Sequence, residues 1–227
     1  MIYHSHLIKL LLNTEDHLFR IKEAEQITNI IKLLFLLTGL SIVVFGWSAW
    51  LGIGSAPLSP QALASDPIEY ELSKVWFFVG RLLYGLLFAL FILFIPSLIF
   101  FAAYQISYQK LLVIQLVVLL ALIVERVLWI PLFVYAGLDW QVSPLSFGVL
   151  ASYITDIPFL IYFFGAVSLF QLWIIFFQVR CISYLSSVRL RWVWTGVLLL
   201  HLAYWISAAI FSTDGMYLVE LITERGK

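Results

Sequence analysis

Glu125 and Arg126 stand side by side near the middle of LLVIQLVVLLALIVERVLWIP, residues 111–131. A charged side chain at the centre of a bilayer costs roughly 2.5–3.5 kcal/mol on insertion scales. Two together require protein partners or water. Arg81, Gln171 and His201 are further polar residues set within apolar stretches, and with the pair they form one candidate intramembrane cluster. An acid, two guanidinium groups and an imidazole that titrates near neutral pH could line a proton or ion path. The same residues could instead form a structural ion pair and interhelical hydrogen bonds that fix helix register. Adjacent helical residues point about 100° apart, so Glu125 and Arg126 cannot pair face to face. Arg81 falls roughly 12 Å above the midplane and Glu125 roughly 3 Å above it, at about 1.5 Å per residue. Arg81–Glu125 is then a feasible but stretched pair.

The remaining polar residues carry weaker signals. Gln115 and Gln178 are expected to hydrogen-bond across helices, as is Gln171. Asp156 precedes Ile157-Pro158 and reads as a helix-start residue at the outer rim. There is no HExxH, GxSxG or P-loop pattern. His4, His6, His17 and His201 lack metal-ligand spacing beyond the close His4/His6 pair. An intramembrane serine hydrolase would need a serine facing His201; Ser168 and Ser207 exist, but neither lies in a motif. The single cysteine, Cys181, excludes an internal disulfide and a multi-cysteine metal site. The expectation is no enzyme, no catalytic residue, no cofactor and no metal.

The elements that must position these residues are legible from composition. The chain is 63% hydrophobic and 11% charged, with a mean hydropathy of +1.02. A soluble domain carries about 25% charged residues, so this is a membrane-class composition. Lys plus Arg balances Asp plus Glu at 13 each, leaving no basic surface for nucleic acid. The expected fold is all-α, a polytopic integral membrane bundle of five transmembrane helices. The spans fall near Ile31–Leu51, Val75–Ala103, Leu111–Pro131, Ile157–Val179 and Trp192–Phe211.

Residues 1–30 read as a cytoplasmic, amphipathic and partly helical arm, residues 31–213 as the transmembrane domain, and residues 214–227 as a polar tail. The arm's apolar cluster at Leu7, Leu10, Leu11 and Leu12 could lie on the membrane or pack under the bundle. Asn13 reads as an N-cap ahead of Glu15 and Asp16, from which a helix could run into the membrane without a break. Gly39 and Gly46 could allow close helix approach in the first span. Residues 136–156 hold no Lys or Arg and could include a short re-entrant or interfacial helix. No cleavable signal peptide is apparent. Basic residues gather in the arm, at Lys110, and at Arg180, Arg189 and Arg191. The positive-inside rule then puts the N-terminus in the cytoplasm and the C-terminus outside.

Residues 164–194, FGAVSLFQLWIIFFQVRCISYLSSVRLRWVW, carry a family likeness. Phe170 and Trp173 lie in an LFxxW run, followed by a serine-rich, basic link with Ser183, Ser186, Ser187 and Arg189. With the five-span layout, this resembles the Yip1-like multi-pass membrane proteins. The chain departs from them in lacking a proline just before the first span. Eukaryotic members are trafficking adaptors, and some bacterial members accompany ABC-type exporters. The resemblance implies a non-enzymatic accessory or assembly subunit of a membrane complex, with ABC transporter subunits among its candidate partners. The alternative expectation is a small proton- or ion-coupled transporter using Arg81, Glu125, Arg126 and His201.

Overall fold

A computed structural model of the chain describes residues 2–55, 58–59, 66–136 and 145–225. The fold is predominantly helical. Among the described residues, four helices are long and apolar enough to cross a membrane.

The N-terminal segment is a small unit of its own. Strand β1 (Ile2–His4) leads to α1 (Leu7–Leu12) and α2 (Thr14–Glu23), and strand β2 (Gln26–Thr28) returns parallel to β1. Tyr3 pairs with Ile27 in the register. Leu7, Leu10, Leu18, Ile21 and Ala24 are buried and belong to the main apolar core. This segment therefore packs on the bundle. Asn13 stands before α2 but makes no side-chain cap, although Glu15 and Asp16 do fall in the first turn. The expected unbroken helix stops at Ala24, because β2 must pair with β1. Asn29, with φ +74°, then turns the chain into the next helix.

Helix α3 (Ile30–Trp50) and α4 (Pro67–Tyr104) form a close antiparallel pair. Gly85 sets their spacing. A Cβ there would stand 3.0 Å from the Ile42 Cα and 3.1 Å from the Ser41 carbonyl oxygen. Ser41 Oγ donates to the Gly85 carbonyl at 2.8 Å. Gly46 also faces α4, whereas a Cβ at Gly39 would meet nothing within 4 Å. The close approach thus uses Gly46 and Gly85, not Gly39. Helix α4 begins well before the apolar stretch that marks it in the sequence, with Pro67 suited to a first helical turn. Its 38 residues reach roughly 57 Å at about 1.5 Å per residue, nearly twice the hydrocarbon thickness.

Helix α5 (Tyr108–Ala136) is the central element and continues past Pro131. It is the most buried of the four long helices. A five-residue helix, α6 (Gly148–Ser152), lies in the loop where a short helix was anticipated. The expected single helix over 157–179 is instead two, α7 (Pro158–Ala166) and α8 (Leu169–Leu185). The break at Val167-Ser168 is stabilised from outside the helix. Phe147 N–H donates to the Val167 carbonyl at 3.1 Å, and Leu169 N–H donates to the Leu145 carbonyl at 3.1 Å. Ser168 Oγ accepts the Gln171 N–H and caps α8. Pro158 opens α7, but its N-cap position is Ile157, not Asp156. Helix α9 (Leu190–Arg225) is continuous for 36 residues, so helix extends into the segment read as a polar tail. Residues 56–57, 60–65, 137–144 and 226–227 of the expected loops and tail lie outside the described residues.

One end of the bundle is fixed by contacts distant in sequence. Arg180 donates to Glu15 at 2.5 Å, and Lys110 Nζ donates to the Lys22 carbonyl at 2.7 Å. The N-terminal unit, the start of α5 and the last turns of α8 therefore share that end. Helix α8 runs antiparallel to α5, and α9 leads away toward the opposite end.

Candidate functional site

The expected cluster of Arg81, Glu125, Arg126, His201 and Gln171 resolves into two neighbouring groups. The inner group contains His201 and three glutamines. Gln171 and Gln178 lie seven residues apart on α8, two turns, so they share one face. His201 on α9 stands against that face. Its Nδ1 is 3.0 Å from Gln171 Oε1 and its Nε2 is 3.0 Å from Gln178 Oε1. Gln178 Nε2 donates to Gln115 Oε1 on α5 at 3.2 Å. His201, Gln171, Gln178 and Gln115 are all buried. Side-chain hydrogen bonds thus cross three helices in sequence.

This chain constrains the ring chemistry. A neutral imidazole donates from one nitrogen and accepts at the other, so one of its two glutamines must turn an amide N–H toward it. Both ring nitrogens are committed to glutamine side chains. Ser168 Oγ accepts the Gln171 N–H and caps α8, and the Ser207 hydroxyl donates to the Ala203 carbonyl at 2.8 Å. The Gln115 Nε2 and Trp205 Nε1 groups are buried and have no hydrogen-bond partner among the described residues. Trp205 lies one turn beyond His201 on α9, with ring centroids 6.0 Å apart.

The second group surrounds Arg126. Its guanidinium stacks 3.8 Å from the Trp129 ring centroid and 5.2 Å from that of Phe45. Phe45 makes an edge contact with Tyr84 at 5.1 Å and a tilted contact with Phe88 at 5.4 Å. Glu125 is 6% exposed and lies, with Tyr84 and Tyr204, within electrostatic range of Arg126. Aromatic faces attract a cation at a small desolvation cost, which suits guanidinium in an apolar setting. Arg81 donates to the Gly54 carbonyl at 3.4 Å and lies 5.1 Å over Phe77.

Gln171 and His201 are therefore brought together, while Arg81 and Arg126 lie among aromatic rings. Tyr204 stands three residues from His201 on α9 and acts electrostatically with both Glu125 and Arg126, so the two groups adjoin. Sequence reasoning missed Tyr84, Tyr204, Phe45 and Trp129 as members of the site. Aromatic residues in apolar helices give no local sign that a cation will lie against them. Among the described residues, no group of three His, Cys, Asp or Glu side chains could hold a metal ion. No protein family, no characterised protein and no solved structure matches the chain.

Proposed function

We propose that this chain is a non-enzymatic integral membrane protein that serves as an assembly or accessory subunit of a membrane complex. It crosses the bilayer five times, with α7 and α8 together making the fourth crossing. Its N-terminus is cytoplasmic and its C-terminus lies outside. The observation that supports this reading is the locking of His201, held on both nitrogens by Gln171 and Gln178. A histidine used that way fixes α9 against α8. Exposed Leu36, Val43, Leu83, Leu87, Phe91 and Leu98 on α3 and α4 suit contact with lipid or a partner helix. The Yip1-like resemblance makes an ABC-type exporter the first partner to test. Cross-linking in native membranes followed by mild-detergent purification should recover the chain with another membrane protein. A chain that remains monomeric and partnerless under both treatments overturns the reading.

A second reading is a small proton- or ion-coupled transporter working through Arg81, Glu125, Arg126 and His201. It is favoured by one observation, the position of Tyr204, three residues from His201 on α9 and within electrostatic range of Glu125 and Arg126. Proteoliposomes under an imposed pH gradient separate the two readings. A transporter would give a proton flux that Glu125→Gln abolishes while the protein remains folded. The subunit reading expects flux at the empty-liposome level from both proteins.

A further inference from the structure

We propose that the N-terminal unit is a pH-sensitive clasp, which holds the ends of α5 and α8 together while His17 is neutral and releases them when His17 is protonated. The geometry places His17 at the joint of that unit. The Tyr3 hydroxyl and His17 Nδ1 are hydrogen-bonded at 2.8 Å, linking β1 to α2. Both residues are buried, and their rings meet edge to face. Helix α2 also carries the outward grip. Glu15 accepts from Arg180 on α8, the Lys22 carbonyl accepts from Lys110 on α5, and the Lys22 ammonium lies 5.1 Å over Tyr184. What loosens α2 from β1 therefore also loosens the two helix ends from each other.

A proton on His17 is poorly received. Asp16 is the carboxylate acting on it, and Asp16 is already engaged with Arg20 at 3.1 Å. Arg20 on α2, Lys9 on α1 and His6 just before α1 all oppose a positive charge there. From β1 the neighbour is Tyr3, while His4 is exposed and hydrogen-bonded to Thr28 at 2.6 Å. From α8 the nearest charge is Arg180, occupied by Glu15. Burial, followed by these cations, holds the His17 pKa below its ordinary value of 6.5. A depressed pKa means that the folded unit binds the proton less well than the unfolded one. Its stability is complete above the ordinary value and is lost as pH falls through the depressed one.

Amide hydrogen exchange of the full chain in nanodiscs, corrected for intrinsic rates, tests this at about pH 7.5 and about pH 5.5. Protection of residues 7–24 should fall at the lower pH, by up to about tenfold for one histidine, with a parallel fall at 105–110 and 180–189. His4→Gln with His6→Gln should keep that response, and His17→Gln should abolish it. A His17→Gln chain unprotected at both pH values, with the His4/His6 variant still responsive, also supports the proposal. Equal wild-type protection at both pH values overturns it. So does a response that survives His17→Gln, one that vanishes with His4 and His6, or one confined to residues 7–24.

Discussion

His201 is the residue whose neighbours say most about the bundle. Replacing it with Leu strands two buried glutamine side chains, Gln171 and Gln178. Each stranded polar group costs about 1–3 kcal/mol. His201→Leu should therefore destabilise the protein in detergent, measured as a loss of thermal midpoint. Gln178→Leu should do the same, and the double variant should lose less than the sum of the singles. Additivity within about 0.3–0.5 kcal/mol would mean that the two side chains are not coupled. Part of this was legible in the sequence. Gln171 and Gln178 share a helical face by spacing alone, and an intramembrane histidine calls for a hydrogen-bonding partner. That the histidine belongs to the same pair of glutamines was not legible, because it depends on how two helices are packed. The Arg126 setting was less legible still, since Phe45 and Tyr204 come from other helices and carry no charge to signal their role.

At the scale of elements, apolar length located the helices, and their ends and breaks came from elsewhere. The early start of α4 at Pro67 lies in polar sequence that a search for membrane-spanning residues passes over. The break between α7 and α8 has no internal Pro or Gly-Pro signal at Val167-Ser168. It is fixed by backbone hydrogen bonds from Leu145 and Phe147, which no local pattern reveals. The loop supplies partners for the broken backbone, as a break inside a bilayer would require. The glycines of the α3–α4 pair give a contrast that can be measured. A Cβ at Gly85 would be 3.0–3.1 Å from backbone and side-chain atoms of α3, whereas one at Gly39 has open space. Gly85→Ala should cost about 1–3 kcal/mol through overpacking. Gly39→Ala should be neutral or stabilising by up to about 1 kcal/mol, from helix propensity. Equal midpoints for the two variants would show that Gly85 does not set the spacing.

For the whole molecule, the decisive question is how many times the chain crosses. Helix α8 has 17 residues, reaching about 26 Å at 1.5 Å per residue, just short of a hydrocarbon core of about 30 Å. Taken alone it falls below the length of a usual span. Its two ends are nonetheless placed by contacts with known partners. The last turns lie beside the N-terminal unit through Arg180 and Glu15, while its first residue bonds to Leu145 beyond the far end of α5. On the proposed five-span reading, a chain that enters at the cytoplasmic face with α3 returns to that face at the α8–α9 link, and α9 carries the C-terminus away from it. Cys181 cannot report this, because it is fully buried and would escape labelling from either side. Ser187 in the α8–α9 link is exposed, and Ser55 lies at the opposite end of α3. In a Cys181→Ala background, Ser55→Cys should react with an impermeant maleimide in intact cells. Ser187→Cys should react only after the membrane is opened, and an epitope placed after Lys227 should be reached from outside. If Ser187→Cys reacts in intact cells while the C-terminal epitope does not, α7 and α8 do not complete a crossing, and the bundle has four spans with both ends in the cytoplasm.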